Sequence, residues 1–232
     1  MLYKNYNNKE NQINEILWAL NITGYECKYS DPRFSKTYEY GIFREQYMTL
    51  EEYKKKYFDS SRPYTVGLLE SNMYVSNGQL QPYYALIKSL EAKGCNVIPV
   101  VAAGGSENQL KVMVKYFTNA PSYEAYLNNP LKYTNNVNAI ISMPAYGIGG
   151  NLFDNTTKYF ETAGVPVFRA VHSDYVSNEE WELSATGLPG NRSDKWWHVA
   201  IGEAQGIIEA TFVGGVTHEI SSKTGAQLSG FK

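Results

Sequence analysis

The hydrophobic pattern in the first half of the chain predicts strands alternating with helices. Residues 65–70 and 96–101 are short, almost continuously apolar runs, as is typical of strands buried on both faces of a parallel sheet. Between them, a polar link at 71–78 leads into residues 80–93, where apolar side chains recur at helical spacing. Gly94 follows as the residue expected just after a helix. The order strand, helix, strand predicts a βαβ unit with parallel strands.

The same alternation continues to residue 214. The next helix is expected at Ser106, because the S-x-x-Q pattern that ends at Gln109 has the form of a capping box. Later strands are predicted at residues 137–142, 165–171 and 207–214, and later helices at residues 152–163 and 193–204. Five such strands joined through helices predict an α/β fold with a doubly wound, mostly parallel, Rossmann- or flavodoxin-like sheet. Ligands in these folds bind beyond the carboxyl ends of the strands.

The two ends of the chain are predicted to differ from this middle part. A helix is expected at residues 10–20, an extended connector at 30–48, and a short helix behind a capping box that begins at Thr49. The predicted divisions are an N-terminal helical and extended segment at 1–62, the α/β domain at 63–215, and a C-terminal β-hairpin at 216–232.

Composition and charge narrow the possible partners. A net charge of −2 over 232 residues and an isoelectric point near 6.0 give no electrostatic basis for binding nucleic acid. No apolar run reaches the roughly 18 residues of a membrane span, and the first twenty residues are too polar for a signal peptide. Cys27 and Cys95 are too few for a disulfide framework, and a cytoplasmic location is expected.

Two short motifs have both a functional and a structural interpretation. Gly147 and Gly149 lie between a strand and a helix, where a dinucleotide or phosphate could bind, but Leu152 replaces the third glycine of that fingerprint. A tight turn is the alternative. His172 and Asp174 follow a predicted strand, where an acid or base would lie, and a surface histidine is the alternative there. The chain contains no Walker, H-E-x-x-H, C-x-x-C or G-x-S-x-G motif.

Residues 85–100 and 199–209 resemble the large subunits of metal–tetrapyrrole chelatases, namely the cobaltochelatase large subunit and the magnesium chelatase H subunit. The first segment, ALIKSLEAKGCNVIPV, is similar to the family pattern ALIxxLExxGxxVxPVF. The second, VAIGEAQGIIE, is similar to VALPELDGxIEP and places Glu203 on the family glutamate. Gly202 and Gln205 depart from the family proline and aspartate.

The resemblance covers roughly residues 40–232 of subunits that are several times longer. It implies that this chain is an excised or truncated part of a large subunit, and not catalytic alone. The implied substrates are a tetrapyrrole and a metal ion, with cobalt going into a corrin precursor or magnesium into protoporphyrin IX. The implied partners are AAA+-type ATPase subunits, which use the ATP, and no tightly bound cofactor is expected.

Metal insertion needs a base for the pyrrole protons and ligands that hand over a divalent ion. His172, Asp174 and Glu203 are the catalytic candidates, and no metal ligands are assigned. The loops that follow the strands are expected to contact the ring. The candidate binding residues are Ser71, Asn72, Tyr74, Gly104, Gly105, Tyr146, Gly147, Gly149, Gly150 and Tyr175. A small-ligand α/β module and a docking scaffold without chemistry remain the alternatives.

Overall fold

The computed structural model of the chain describes residues 9–31, 40–144, 147–150, 153–188 and 195–217. The chain divides into two compact units, Met1–Tyr38 and Glu39–Lys232. Within the described ranges, no helix is both long enough and apolar enough to cross a membrane.

Among its described residues, 9–31, the N-terminal unit contains the helix α1 (Lys9–Ile22), at the position predicted from the sequence. Its polar residues make the contacts that shape the unit. The side-chain amide of Asn14 donates to the carbonyl of Glu10 (2.9 Å) and its oxygen accepts from the backbone N–H of Ser30 (2.7 Å). The segment after the helix is thereby tied back to it.

The second unit is built around a sheet of seven strands within the described residues. The strands are β1 (Tyr40–Arg44), β2 (Gln46–Met48), β3 (Tyr64–Ser71), β4 (Cys95–Ala102), β5 (Ala139–Ser142), β6 (Val167–Ser173) and β7 (Ile208–Gly215). Their order in the sheet is β2-β1-β4-β3-β5-β6-β7, with β3 to β7 parallel to one another and β1 and β2 antiparallel at one edge. The parallel part has the flavodoxin-like order, whose switch point lies between β3 and β5.

Helices join these strands. They are α2 (Leu50–Tyr57), α3 (Asn72–Asn77), α4 (Gln81–Ala92), α5 (Glu107–Phe117), α6 (Tyr123–Asn128), a 3-10 turn (Pro130–Lys132), α7 (Phe153–Ala163), α8 (Asn178–Leu183), and a π-helical stretch (Lys195–Ala200) that continues into α9 (Ile201–Ala204). The Thr49 capping box is present at the start of α2, as predicted.

Apolar side chains cover both faces of the sheet. Neighbouring residues of β3 point to opposite faces, so Leu68 and Leu69 enter two different cores. Leu69 packs in the same core as Leu110 of α5, and Leu68 packs in the same core as Ile87 of α4. A parallel sheet with both faces covered is the doubly wound architecture predicted from the sequence.

Two segments differ from the prediction. The expected extended connector contains the β1–β2 hairpin, which turns at Glu45 in a left-handed conformation (φ 66°) and pairs with β4. The polar link after β3 is helix α3, because the Ser71 hydroxyl caps it by accepting from the N–H of Met73 (3.3 Å). The C-terminal hairpin predicted at 216–232 lies, apart from its first two residues, outside the described residues.

Candidate functional site

A cleft at the carboxyl edge of the sheet contains four of the glycines predicted to contact a ligand. The loops after β4 and β5, the two neighbours of β3, form it together with the start of α7 and the helix at 195–204. Its lining residues are Gly104, Gly105, Gly147, Gly150, Phe153, Trp197, Ile201 and Gln205. Its volume of about 410 Å³ falls within the range of small-molecule sites. We call it the glycine cleft.

Main-chain atoms form one wall of the glycine cleft, because two loops approach too closely for side chains. Gly149 (φ 79°) and Gly150 (φ 59°) both have left-handed backbone conformations. A Cβ on Gly150 would collide with the carbonyl oxygen of Gly105, and a Cβ on Gly149 would collide with the hydroxyl of Thr156. Without side chains on this wall, a flat ligand can approach the backbone directly.

Buried amide side chains fix the loop at 147–150. Gln205 pairs with the peptide of Ile148, accepting from its N–H (3.0 Å) and donating to its carbonyl (2.9 Å). Thr156 donates to the same carbonyl (2.8 Å), and Gln109 accepts from the N–H of Gly149 (3.2 Å). The loop is therefore positioned by α7, which directly follows it, and by two glutamines that are 40 and 57 residues away in sequence.

The contact made by Gln109 corrects the capping box predicted at Ser106. Ser106 does precede α5, but its side chain makes no capping bond to the helix. Its hydroxyl donates instead to the carbonyl of Ala103 (2.6 Å), within the loop after β4. Ser106 and Gln109 thus make hydrogen bonds to the loops of the cleft and do not form a capping box at the start of α5.

The helix at 195–204 separates the glycine cleft from a second cavity. Trp197 and Ile201, one turn apart, line the glycine cleft. Val199 and Glu203, also one turn apart, line the second cavity, which has a volume of about 410 Å³. The first part of the helix is π-helical, a wider winding that is rare and often found at functional sites.

A cluster of four buried ionisable side chains lies where this helix packs against β6, with members from β3, from β6 and from the helix itself. Its members are Glu70, Arg169, His172 and His198, and we call it the buried charge cluster. The Glu70 carboxylate lies 3.1 Å from Nε2 of His172, and its other oxygen accepts from the N–H of Ser71 (2.5 Å). The ring centroids of His172 and His198 are 6.2 Å apart.

Arg169 connects the buried charge cluster to the end of β5 by hydrogen bonds. One of its Nη atoms donates to the hydroxyl of Ser142 (3.1 Å) and to the carbonyl of Pro144. Its Nε and second Nη have no hydrogen-bond partner among the described residues. This edge of the guanidinium faces Gly202, where a Cβ would lie 3.2 Å from the nitrogen, so glycine provides the room the arginine occupies.

The environment shifts the pKa values of the cluster in different directions. Burial alone would lower the pKa of His172, but the adjacent Glu70 carboxylate outweighs it and the pKa is raised. Burial, with Arg169 and His172 nearby, lowers the pKa of His198 to about 3. Burial lowers the pKa of Arg169 to about 10, so it stays charged at neutral pH. His172 thus keeps its proton to a higher pH than a free histidine does, while His198 is neutral at neutral pH.

Two of the three catalytic candidates lie near one another. The hydroxyl of Tyr74 donates to the carboxylate of Asp174 (3.2 and 3.3 Å), and the Tyr74 ring meets the ring of His172 edge-on at 4.4 Å. Asp174 is exposed, whereas His172 is buried inside β6, so His172 is not the surface histidine considered as its alternative. Glu203 is exposed and lines the second cavity, whose lining includes neither His172 nor Asp174.

The remaining binding candidates occupy several environments. Ser71 and Asn72 form the start of α3, and Tyr175 is exposed after β6. Tyr146 lies outside the described residues. Among the residues that are described, no group of three His, Cys, Asp or Glu side chains could hold a metal ion.

Several residues of this region were not predicted from the sequence. Glu70 and Arg169 are charged residues within apolar strand segments, and that interruption is the feature that could have singled them out. Phe153 and Trp197 line the cleft from helices that are distant in sequence, which only the tertiary structure reveals.

Comparison with known proteins identifies the family. The CobN/Magnesium Chelatase family matches residues 1–229, nearly the whole sequence. The chain belongs to this family.

Two relatives and one solved structure show how the chain relates to longer proteins. It is 28% identical over 184 residues to the uncharacterized protein MJ1441 of Methanocaldococcus jannaschii, covering 75% of this chain and 14% of that protein. It is 28% identical over 146 residues to the chloroplastic magnesium-chelatase subunit ChlH of Oryza sativa subsp. japonica, covering 61% and 10%. The catalytic subunit of cobaltochelatase from Mycobacterium tuberculosis shares its fold (TM-score 0.55, 13% identity), covering 100% of this chain and 17% of that one. The chain thus spans less than a fifth of each.

Two departures from the expected CobN/Magnesium Chelatase pattern have a structural reason in this chain. Gly202 stands where proline was expected, and it packs against the guanidinium of Arg169. Gln205 stands where aspartate was expected, and its amide matches both hydrogen-bonding groups of the Ile148 peptide. An aspartate could not donate to the Ile148 carbonyl. Both replacements therefore fit contacts that the structure makes beneath and beside the glycine cleft.

Proposed function

We propose that this chain is a domain of the large, tetrapyrrole-binding subunit of an ATP-dependent metal chelatase. The substrates are a divalent metal ion and a tetrapyrrole, either cobalt with a corrin precursor or magnesium with protoporphyrin IX. Separate AAA+-type subunits use the ATP, and this domain holds the ring without completing the reaction alone. Membership of the CobN/Magnesium Chelatase family supports this assignment.

The observation that carries the proposal is the construction of the glycine cleft. A macrocycle is flat and largely apolar, so it needs a site with a wall of low relief and aromatic or aliphatic flanks. Gly105 and Gly150 give a wall of main-chain atoms, while Phe153, Trp197 and Ile201 give the apolar flanks. One cleft covers only part of a macrocycle, and we therefore propose that other parts of the subunit complete the site.

The proton chemistry of metal insertion limits the roles of the ionisable groups. A base that removes pyrrole protons must be unprotonated and accessible. His172 is buried and paired with Glu70 at 3.1 Å, so its role in the proposal is to hold β6 against β3. Asp174 is an exposed carboxylate and remains the candidate for proton transfer, whereas Glu203 lines the second cavity on the other side of the helix at 195–204.

The test compares two adjacent tryptophans by absorbance titration with a water-soluble carboxylated porphyrin. Trp197 lines the cleft, whereas Trp196 is 60% exposed and does not. We expect Trp197→Ala to weaken binding about five-fold or more, since one aromatic contact contributes about 1 kcal/mol beyond the area it buries. Trp196→Ala should bind as the unmodified chain does. Phe153→Ala, which removes a 41% exposed ring, should repeat the Trp197 result.

Amide chemical-shift mapping with the same porphyrin locates the contact independently. The shifts should concentrate at 103–106 and 147–150 and at the first turn of α7. Equal affinities for both tryptophan variants, with shifts on the later turns of α7, would contradict the proposal and favour a docking scaffold.

A further inference from the structure

The second cavity has the features of a binding site that is separate from the glycine cleft. Its walls come from β6, α8, β7 and the helix at 195–204. The ring of Trp181 stacks on the ring of Phe212, with centroids 4.7 Å apart and planes within 6° of parallel. Val171 and Leu188 add aliphatic surface, so most of the lining is apolar. The volume of about 410 Å³ is near the lower end for small-molecule sites.

Two opposite charges line this otherwise apolar cavity. Lys195 and Glu203 both contribute to the lining, and neither side chain has an ion pair or hydrogen bond to a described residue. By contrast, the less exposed Arg44 and Glu91 of the same unit form an ion pair at 2.6 Å. An apolar cavity with few, separated polar groups is the usual arrangement by which a protein fixes the orientation of a small ligand.

We propose that the second cavity binds a small planar aromatic molecule that has a carboxylate at one end and a ring N–H at the other. The ring packs beside Trp181 and Phe212, where aromatic contacts are favourable. The ammonium group of Lys195 binds the carboxylate, and the carboxylate of Glu203 accepts from the ring N–H. A ligand with carboxylates at both ends would meet repulsion from Glu203, which sets the direction in which the ligand lies.

This site does not depend on the proposed chelatase function. The glycine cleft and the second cavity share no lining residue, and they lie on different sides of the helix at 195–204. Loss of porphyrin binding at the cleft would therefore leave this proposal unaffected.

The test uses indolepropionate as the probe, because it combines a planar ring, one N–H and one carboxylate. Two matched analogues remove one feature each: its neutral amide removes the charge, and its N-methyl derivative removes the N–H. Calorimetric titration of the full chain with all three gives the contribution of each group. We expect the amide and the N-methyl derivative each to bind about three- to five-fold more weakly, as for a partly exposed polar contact.

Two variants assign those differences to residues. In Lys195→Met, the acid and its amide should bind equally, while the N-methyl derivative stays weaker. In Glu203→Met, the acid and its N-methyl derivative should bind equally, while the amide stays weaker. Both side chains lie at the surface of the cavity, and an unchanged melting temperature checks that the fold is intact.

Three results would overturn the proposal. In the first, Glu203→Met still binds the N-methyl derivative more weakly than the acid, and Lys195→Met still binds the amide more weakly than the acid. In the second, indolepropionate shifts the amide resonances at 103–106 and 147–150 instead of those at Trp181 and Phe212. Absence of binding by all three probes would also refute the assigned ligand class.

Discussion

At the scale of single residues, the buried charge cluster contains two histidines whose pKa values are shifted in opposite directions. The pKa of His198 is lowered to about 3 by burial and by Arg169, so it stays neutral in the folded chain. The pKa of His172 is raised, because Glu70 outweighs its burial, and Asp174 acts in the same direction. These shifts couple the stability of the fold to pH through linkage.

The depressed pKa of His198 predicts a loss of stability in acid. Below about pH 6.5 the unfolded chain takes up a proton on this histidine and the folded chain does not, so the free energy of unfolding falls by up to about 1.4 kcal/mol per pH unit. The loss continues until the pH reaches the folded pKa of about 3. His198→Gln should remove this contribution, so its stability should decline less steeply than that of the unmodified chain. Urea unfolding between about pH 4 and pH 7 measures both slopes.

His172→Gln is the matched control, because the sign of its effect is reversed. The stabilisation from a raised pKa is complete below the unfolded value of about 6.5 and is lost as pH rises through the folded value. The difference in the free energy of unfolding between His172→Gln and the unmodified chain should therefore become smaller as the pH is raised. Parallel slopes for the unmodified chain and His198→Gln in acid would show that the histidine is solvated when folded.

At the scale of elements, the turn between β5 and α7 is fixed by close packing as well as by backbone conformation. Gly150 and Gly164 have nearly the same left-handed conformation, with φ of 59° and 64°. They differ in their surroundings, because Gly150 contacts the backbone of Gly105 while nothing lies within 4 Å of a Cβ on Gly164. The same substitution at these two positions therefore distinguishes the cost of backbone strain, which both share, from the cost of a steric collision, which only Gly150 has.

We expect Gly150→Val to destabilise the protein more than Gly164→Val does. Strain at a left-handed position costs about 1–3 kcal/mol in either variant. Gly150→Val must in addition push the loop after β4 away, which opens the glycine cleft. Thermal unfolding of both variants gives the comparison, and equal melting temperatures would mean that the loops at 104–105 and 147–150 do not touch in solution.

The sequence predicted those elements whose formation depends on local pattern. All five parallel strands are present, because buried strands require continuous apolar runs that are visible in the sequence. The β1–β2 hairpin was missed since its turn residue is Glu45, and the usual signs of a tight turn are glycine or asparagine. Helix α3 was missed because its six residues are too few to show a period.

The candidate site was predictable only in part, for a different reason. The glycines of the cleft follow strands, and parallel topology brings such loops to one edge, so Gly104 and Gly150 could be named in advance. Gln109 could not, because its local pattern fits a helix cap while its amide reaches a loop forty residues away. Glu203 was grouped with His172 as a catalytic candidate, but Glu203 lines the second cavity and His172 does not.

At the scale of the whole molecule, the chain has the flavodoxin-like order without a phosphate-binding loop that carries lysine and a hydroxyl. The purified chain should therefore not hydrolyse ATP, with or without a metal ion. A coupled phosphate-release assay across the chromatographic peak provides the measurement. Turnover that persists on repurification and follows the protein concentration would contradict this expectation.

The helix at 195–204 forms a wall of both the glycine cleft and the second cavity, so the two compartments share one structural element. Trp197 and Val199 lie on the same two turns but face different cavities. A ligand that displaces this wall from one side changes the free energy of occupying the other side. Equilibrium binding requires that influence to be reciprocal, with the same factor in both directions. For any ligand that displaces the helix at 195–204, the affinities of the two compartments are therefore linked through these ten residues.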